Sequence, residues 1–258
     1  MAESEVIKIL ENKDYELFQG DCLELMKDIP DKSIDMILCD LPYQVTGMKW
    51  DKIIPFDKMW EQYNRIIKND GAIVLFATNP FASALVMSNP KMFRYEWIWD
   101  KTRGSNFQQA NFAPMKSHEQ VLVFSKKPAI YTKNGSMRYY PQKIGDEEYV
   151  SKMGNSGNIV RDKGNNSLKQ IETKLKGRHP KTIQTFKKDS KLHPTAKPIG
   201  LLELLIKSYT LENDIVLDNC MGSGSTGVAC LNTNRRFIGI ELEEKYFNIA
   251  VDRMKNRK

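Results

Sequence analysis

Short apolar runs and helical stripes alternate along the first half of the chain. Ile34–Cys39 and Ala72–Ala77 are brief, apolar and partly β-branched, as strands buried on both faces of a parallel sheet are. Between them Phe56, Trp60, Tyr63 and Ile67 recur at helical spacing, which predicts a helix with one face turned to the core. Tyr95–Trp99 and Gln120–Phe124 are two further strand candidates, separated by a polar loop. From residue 126 to 191 the periodicity fades and Gly, Asn, Lys and Ser accumulate, as in MGNSGN and KGNNS; this predicts an irregular inserted lobe. Order returns with a helix over Ile199–Tyr209, a strand over Ile215–Leu217, a glycine-rich turn and a helix to about Leu231. A strand over Phe237–Ile240 and a final helix from about Glu244 follow. Strand–helix alternation on both sides of the insert predicts an open, mostly parallel α/β sheet. The expected division is a first core half over 1–125, the lobe over 126–191, and the second half of the same core over 192–258.

Composition adds a partner to this picture. A chain of 258 residues with 41% hydrophobic content suits one sizeable domain with an insert. Its net charge of +7 is unevenly spread: residues 126–191 hold sixteen Lys/Arg against six Asp/Glu, the remainder twenty-three against twenty-six. A basic segment on a slightly acidic body suits a polyanion, with a solvated lysine-rich loop as the plain alternative. No apolar run approaches the ~20 residues of a membrane helix. The opening MAESEVIKIL lacks the layout of a signal peptide, so the expected place is the cytoplasm, away from membranes. Cys22, Cys39, Cys220 and Cys230 form no CxxC pair and the three histidines no HxxxH, so neither a metal site nor a disulfide framework is expected.

Two stretches carry candidate chemistry. DMILCDLPY ends a buried run on Asp40, then Leu41, Pro42 and Tyr43. IVLDNCMGSGSTGVAC follows a strand with Gly222, Gly224 and Gly227 in a GxGxxG spacing, and Glu241 closes the next strand nineteen residues past Gly222. Glycines there allow a tight turn and close approach of a ligand, and an acid at the next strand end can accept from ribose hydroxyls. An NAD-dependent dehydrogenase would show the same spacing. Asp218, just before the turn, suits a cationic amino group better than a pyrophosphate. Dinucleotide folds also usually place this unit first, whereas here it comes last. Both features favour S-adenosylmethionine.

Together the motifs resemble the β-class DNA amino-methyltransferases, in which the catalytic motif precedes the recognition region and the cofactor motif comes last. Asp40-Leu-Pro-Tyr43 is similar to the family's D-P-P-Y, Asp218 to Thr226 to its D-P-F-x-G-S-G-T-T, and His193-Pro-Thr-Ala-Lys-Pro198 to its H-P-T-Q-K-P. The departures are Leu41 for the first proline, Asn219 and Cys220 for Pro-Phe, and Ala196 for glutamine. The resemblance implies a Rossmann-like seven-stranded sheet and S-adenosylmethionine-dependent methylation of DNA. It implies a cofactor site of Asp21, Cys22, Thr195, Lys197, Asp218, Gly222, Gly224, Ser225, Thr226 and Glu241. It implies that Asp40 and the Leu41 carbonyl grip a target amino group while Tyr43 stacks on the extruded base. Trp50, Asp51 and the His118-Glu119 pair are further candidates to flank that base. Asp rather than Ser at the head of the motif points to adenine N6, with N4 of cytosine or a non-catalytic DNA-binding protein as alternatives. The resemblance makes the lobe the expected target-recognition region, and Lys174, Lys176, Arg178 and Lys181 are its candidate DNA contacts. DNA is the implied partner, and the resemblance leaves room for a homodimer and a cognate restriction endonuclease.

Overall fold

The computed structural model describes residues 7–43, 53–152, 172–188 and 196–256. Its main body spans residues 1–140 and 182–258; Pro141–Lys181 forms a second compact unit. The body is built on a nine-stranded sheet in the order β1-β2-β11-β10-β3-β4-β6-β5-β9. Those strands are β1 (Ile7–Glu11), β2 (Tyr15–Gln19), β3 (Ile34–Asp40), β4 (Ile67–Ala77), β5 (Phe93–Ser105), β6 (Lys116–Phe124), β9 (Ile183–Thr185), β10 (Ile215–Asp218) and β11 (Arg236–Glu241). The expected seven are the inner ones; β1 adds an antiparallel edge and β9 a short parallel one. From β2 through β11, β10 and β3 to β4 every pairing is parallel, and within the inner seven only β6 runs against its neighbours, β4 and β5.

Period-two alternation sends the apolar strands to both faces. Met36, Leu38, Val74, Phe76 and Val216 face the layer of α4 (Ile199–Tyr209), α5 (Ser225–Asn232) and α6 (Glu244–Lys255). Ile37, Cys39, Ile73, Leu75 and Leu217 face α1 (Cys22–Leu25), α2 (Phe56–Ile66) and α3 (Phe81–Ser88). The predicted stripe on α2 is buried through Trp60 and Tyr63, while Ile67 already belongs to β4. The Lys126 ammonium ends that helix by donating to the Asn64 and Ile67 carbonyls, at 2.7 and 3.2 Å. No described helix is long and apolar enough to cross a membrane.

Residues 126–140, expected as the start of the lobe, lie on the main body. Met137 is buried, and the Tyr139 ring lies 5.9 Å from Tyr209 and 6.5 Å from Trp97. Arg138 donates to Asp70 at 2.9 Å, Asp35 at 2.7 Å and Asp214 at 3.2 Å. Asp35 is 2% exposed and also accepts from Lys68 at 2.6 Å and from the Ile215 amide at 3.0 Å. Burial alone would raise its pKa, but the Lys68, Ile215 and Arg138 donors outweigh that and hold it below the ordinary value. Part of the basic count in 126–191 therefore serves the core. The second unit is not irregular where it is described: β7 (Ile144–Lys152) and β8 (Glu172–Arg178) form an antiparallel ladder. Gly177 has φ +65°, and a Cβ there would meet the Gly145 carbonyl at 2.7 Å, so only glycine fits this rung.

Candidate active site

Parallel pairing fixes where the predicted motifs meet. Glu241 pairs with Gln19, Asp218 with Gly239 and Asp40 with Phe76, so β2, β11, β10, β3 and β4 end at one edge of the sheet. From β3 the chain crosses to β4, and from β10 to β11, in opposite directions; the seam between β3 and β10 is the switch point where open α/β sheets bind ligands. A cavity of about 410 Å³ opens there. Asp40 to Tyr43, Asp21, Cys22, Lys197, Asp218, Gly222, Ser225, Thr226 and Glu241 all line it. Thr195, His193, Trp50 and Asp51 lie outside the described residues. Gly224 stands just behind the lining; at φ +77° it caps α5, and a Cβ would meet that of Ala250 at 2.9 Å.

One side of the cavity is acidic and preorganised. Glu241 accepts from the Gly222 amide at 2.8 Å through Oε2 and from the Glu243 amide at 2.9 Å through Oε1. Burial raises its pKa, yet each oxygen keeps a lone pair for a hydroxyl. Arg253 on α6 steadies the glycine turn by donating to the Ser223 carbonyl at 2.6 Å. Gly20 donates to the Glu241 carbonyl at 3.0 Å, and Asp21 caps α1 by accepting from Leu23 at 2.7 Å. Asp218 is 3% exposed, and burial lifts its carboxyl to about 7 against the pull of Thr226 and the Cys220 amide. Asn219, standing where the family has proline, accepts from the buried Tyr63 hydroxyl at 2.6 Å. The Cys22 and Cys220 thiols contact each other in the cavity wall, and burial pushes the thiol of their core neighbour Cys39 up to about 12.

The other side is an ion-paired chain. Both Asp40 oxygens have donors: Tyr43 on Oδ1 and the Lys197 ammonium on Oδ2. Lys197 is 8% exposed, lies 5.1 Å from the Phe76 ring centre, and is 3.4 Å from Glu119 Oε2. That distance is ion-pair reach, but Oε2 has no hydrogen-bond partner among the described residues, while Lys101 holds the other Glu119 oxygen. Burial would raise the Glu119 pKa, but Lys197 and Lys101 outweigh it and keep the group ionised. Phe81 backs the Tyr43 ring at 5.1 Å and Phe56 backs Phe81 at 5.7 Å, giving a supported aromatic shelf. Lys197 thus joins Asp40, and His118 is exposed, apart from this ion-paired chain. Lys101 and Arg253 escaped sequence reading, because cross-strand and helix–turn contacts leave no local signal.

A family model described as DNA methylase, of the N6/N4 methyltransferase type, matches residues 34–252. The chain belongs to that DNA methylase family. Among curated proteins the methylase is 26% identical to the DNA adenine methyltransferase YhdJ of Escherichia coli (strain K12), over 94% of this chain and 83% of that one. A solved M1.HpyAVI–SAM complex is 25% identical, with a TM-score of 0.62 over 93% of this chain and 98% of the other. The cytosine-N4-specific PvuII DNA methyltransferase shares the fold, with a TM-score of 0.67 at 17% identity over 96% and 88% of the two chains.

Proposed function

We propose that this DNA methyltransferase moves the methyl group of S-adenosylmethionine to the exocyclic N6 of an extruded adenine. The observation that carries the reading is Asp40, lining the cavity beside an aromatic shelf, with Asp218 on the neighbouring strand and Glu241 one strand further. The wall fits the donor: Glu241 keeps lone pairs for ribose hydroxyls, and the buried Asp218 carboxyl gains a partner from a cationic amino group. When bound, S-adenosylmethionine supplies an electrophilic methyl on a sulfonium. The chain's own residues do the rest by positioning. An exocyclic amino nitrogen is a poor nucleophile because its lone pair is delocalised into the ring. Acceptance of its hydrogens by Asp40 and the Leu41 carbonyl turns that lone pair toward the donor, and Tyr43 holds the base plane. The amino group must replace Lys197 on Asp40, and Glu119 Oε2 offers the displaced ammonium a second seat.

Asp at the head of the motif supports adenine over cytosine. The Pro141–Lys181 unit takes the target-recognition role in this reading, and a homodimer and a cognate restriction endonuclease belong to it. Long-read sequencing of DNA treated with the protein and S-adenosylmethionine reports base and motif together. N6-methyladenine at a fixed motif is expected; N4-methylcytosine alone would reassign the target.

A further inference from the structure

The polar loop expected between β5 and β6 is not simply polar. Antiparallel steps from β4 to β6 and from β6 to β5 leave β5 parallel to β3, so the loop over residues 106–115 rises from the same sheet edge as Asp40. It is a built element. Ser105 pairs with Lys116, the Ser105 hydroxyl donates to the Lys116 carbonyl at 2.9 Å, and the Ala113 and Phe112 amides both donate to the Gln109 carbonyl at 2.9 Å. A Cβ on Gly104 would strike that of Met115 at 2.6 Å, so the loop's base closes tightly. This ordered tip turns two rings outward: Phe107 is 80% exposed and Phe112 90%.

Exposed aromatics on a self-bonded tip call for an occupant, and charge names one. Residues 101–118 hold Lys101, Arg103 and Lys116 and no acid. The tip is also tied to the catalytic acid, because Glu119, three residues past Lys116, joins Lys101 to Lys197 and so to Asp40. At strand rise, Met115 stands about 13 Å beyond Glu119. That length exceeds the about 8 Å depth of either groove of DNA, so the loop is long enough to cross one. We infer that this loop is a wedge for duplex DNA, with Phe107 and Phe112 entering the gap that the extruded base leaves behind. An apolar ring there replaces the stacking that extrusion breaks, and the basic flanks meet phosphates on either side. The inference rests on the reading of this chain as a DNA methyltransferase that acts on an extruded base.

The test uses the full-length protein and a duplex containing the motif found by sequencing, in two forms: fully paired, and with an abasic site opposite the target. The Phe107→Ala/Phe112→Ala double variant should lose roughly tenfold or more in kcat/KM on the paired duplex, the scale of a lost base–aromatic stack. On the abasic duplex, where extrusion is already easy, the loss should shrink to about threefold or less. S-adenosylmethionine binding should be unchanged, and Phe107→Trp/Phe112→Trp, which keeps a stacking ring at both positions, should keep most of the activity. Equal loss on both duplexes, or no loss on the paired one, overturns the wedge. So does a changed oligomeric state with intact duplex kinetics, which would give the rings to a second copy of the chain. If the wild type methylates neither duplex, the methyltransferase reading falls and takes the wedge with it. An active wild type with indifferent variants removes the wedge alone.

Discussion

Asp40 and Glu241 end strands separated only by β10, yet in the proposed reaction they serve different halves, target base and cofactor. Replacing Asp40 with alanine should abolish methyl transfer while leaving S-adenosylmethionine binding within a few-fold, because Glu119 still holds the buried Lys197. Replacing Glu241 with alanine should weaken the cofactor by about 1.5–3 kcal/mol, the worth of charged hydrogen bonds. Calorimetry and a methyl-transfer assay on both variants separate the roles. Near-normal turnover by Asp40→Ala would reduce the motif to a strand end. Asp218 adds a pH signature. A cation beside it favours its charged form, so cofactor affinity should hold above pH about 7 and fall below it, by up to about tenfold per pH unit. The empty protein trends the other way. A folded pKa above the unfolded 3.8 contributes stability at low pH that is lost as pH rises through about 7. Melting temperatures should therefore rise more with cofactor at pH about 8 than at about 6; an equal rise would take Asp218 out of the cofactor site.

Among elements, those that the sequence made legible are the ones whose pattern is local. β3, β10 and β11 show as short apolar runs, and the motifs at their ends follow from one rule about where parallel strands bind ligands. What stayed hidden depends on partners far along the chain. β9 has three residues and exists only because β5 offers an edge. The segment 126–140 has a loop's composition, yet Arg138 pins it to Asp35 of β3, Asp70 of β4 and Asp214 just before β10. At the site, Asp40 and Glu241 were visible as strand-end acids, whereas the Lys197–Glu119–Lys101 chain needed the register that sets Trp99 beside Glu119. Arg138 carries a stability prediction. Arg138→Ala should cost about 3 kcal/mol, the low end for breaking a buried pair, because Lys68 and the Ile215 amide still serve Asp35. Asp35 has a depressed pKa, so its contribution is present above the unfolded value of 3.8 and is lost as pH falls through the lower folded one. Urea titration at neutral pH and acid unfolding of wild type and variant check both statements; an unchanged midpoint in urea would make the cluster ornamental.

For the whole molecule, the charge imbalance remains the long-range feature, although Lys126 and Arg138 are committed to the core. Lys176, Arg178 and Lys181 are exposed in the Pro141–Lys181 unit, and Lys174 lies on its β8. Each phosphate contact steepens the dependence of log affinity on log salt by about 0.9 on duplex DNA. Replacing those four residues with alanine should flatten the slope and weaken DNA binding without touching the cofactor, as a fluorescence titration over a range of salt would report. An unchanged slope would move phosphate contact elsewhere on the chain. The seam at the switch point has a consequence for how the protein comes into being. β3 gains its second neighbour from β10, and Asp35 meets Ile215 across 180 residues of sequence. At a synthesis rate of about 5–20 residues per second, a ribosome needs about 10–35 s to travel between those partners. Throughout that interval the emerging chain carries a strand whose middle, Met36 to Cys39, is apolar and whose second edge is open, so slow translation and chaperone supply, more than final stability, should govern how much of it reaches the native state.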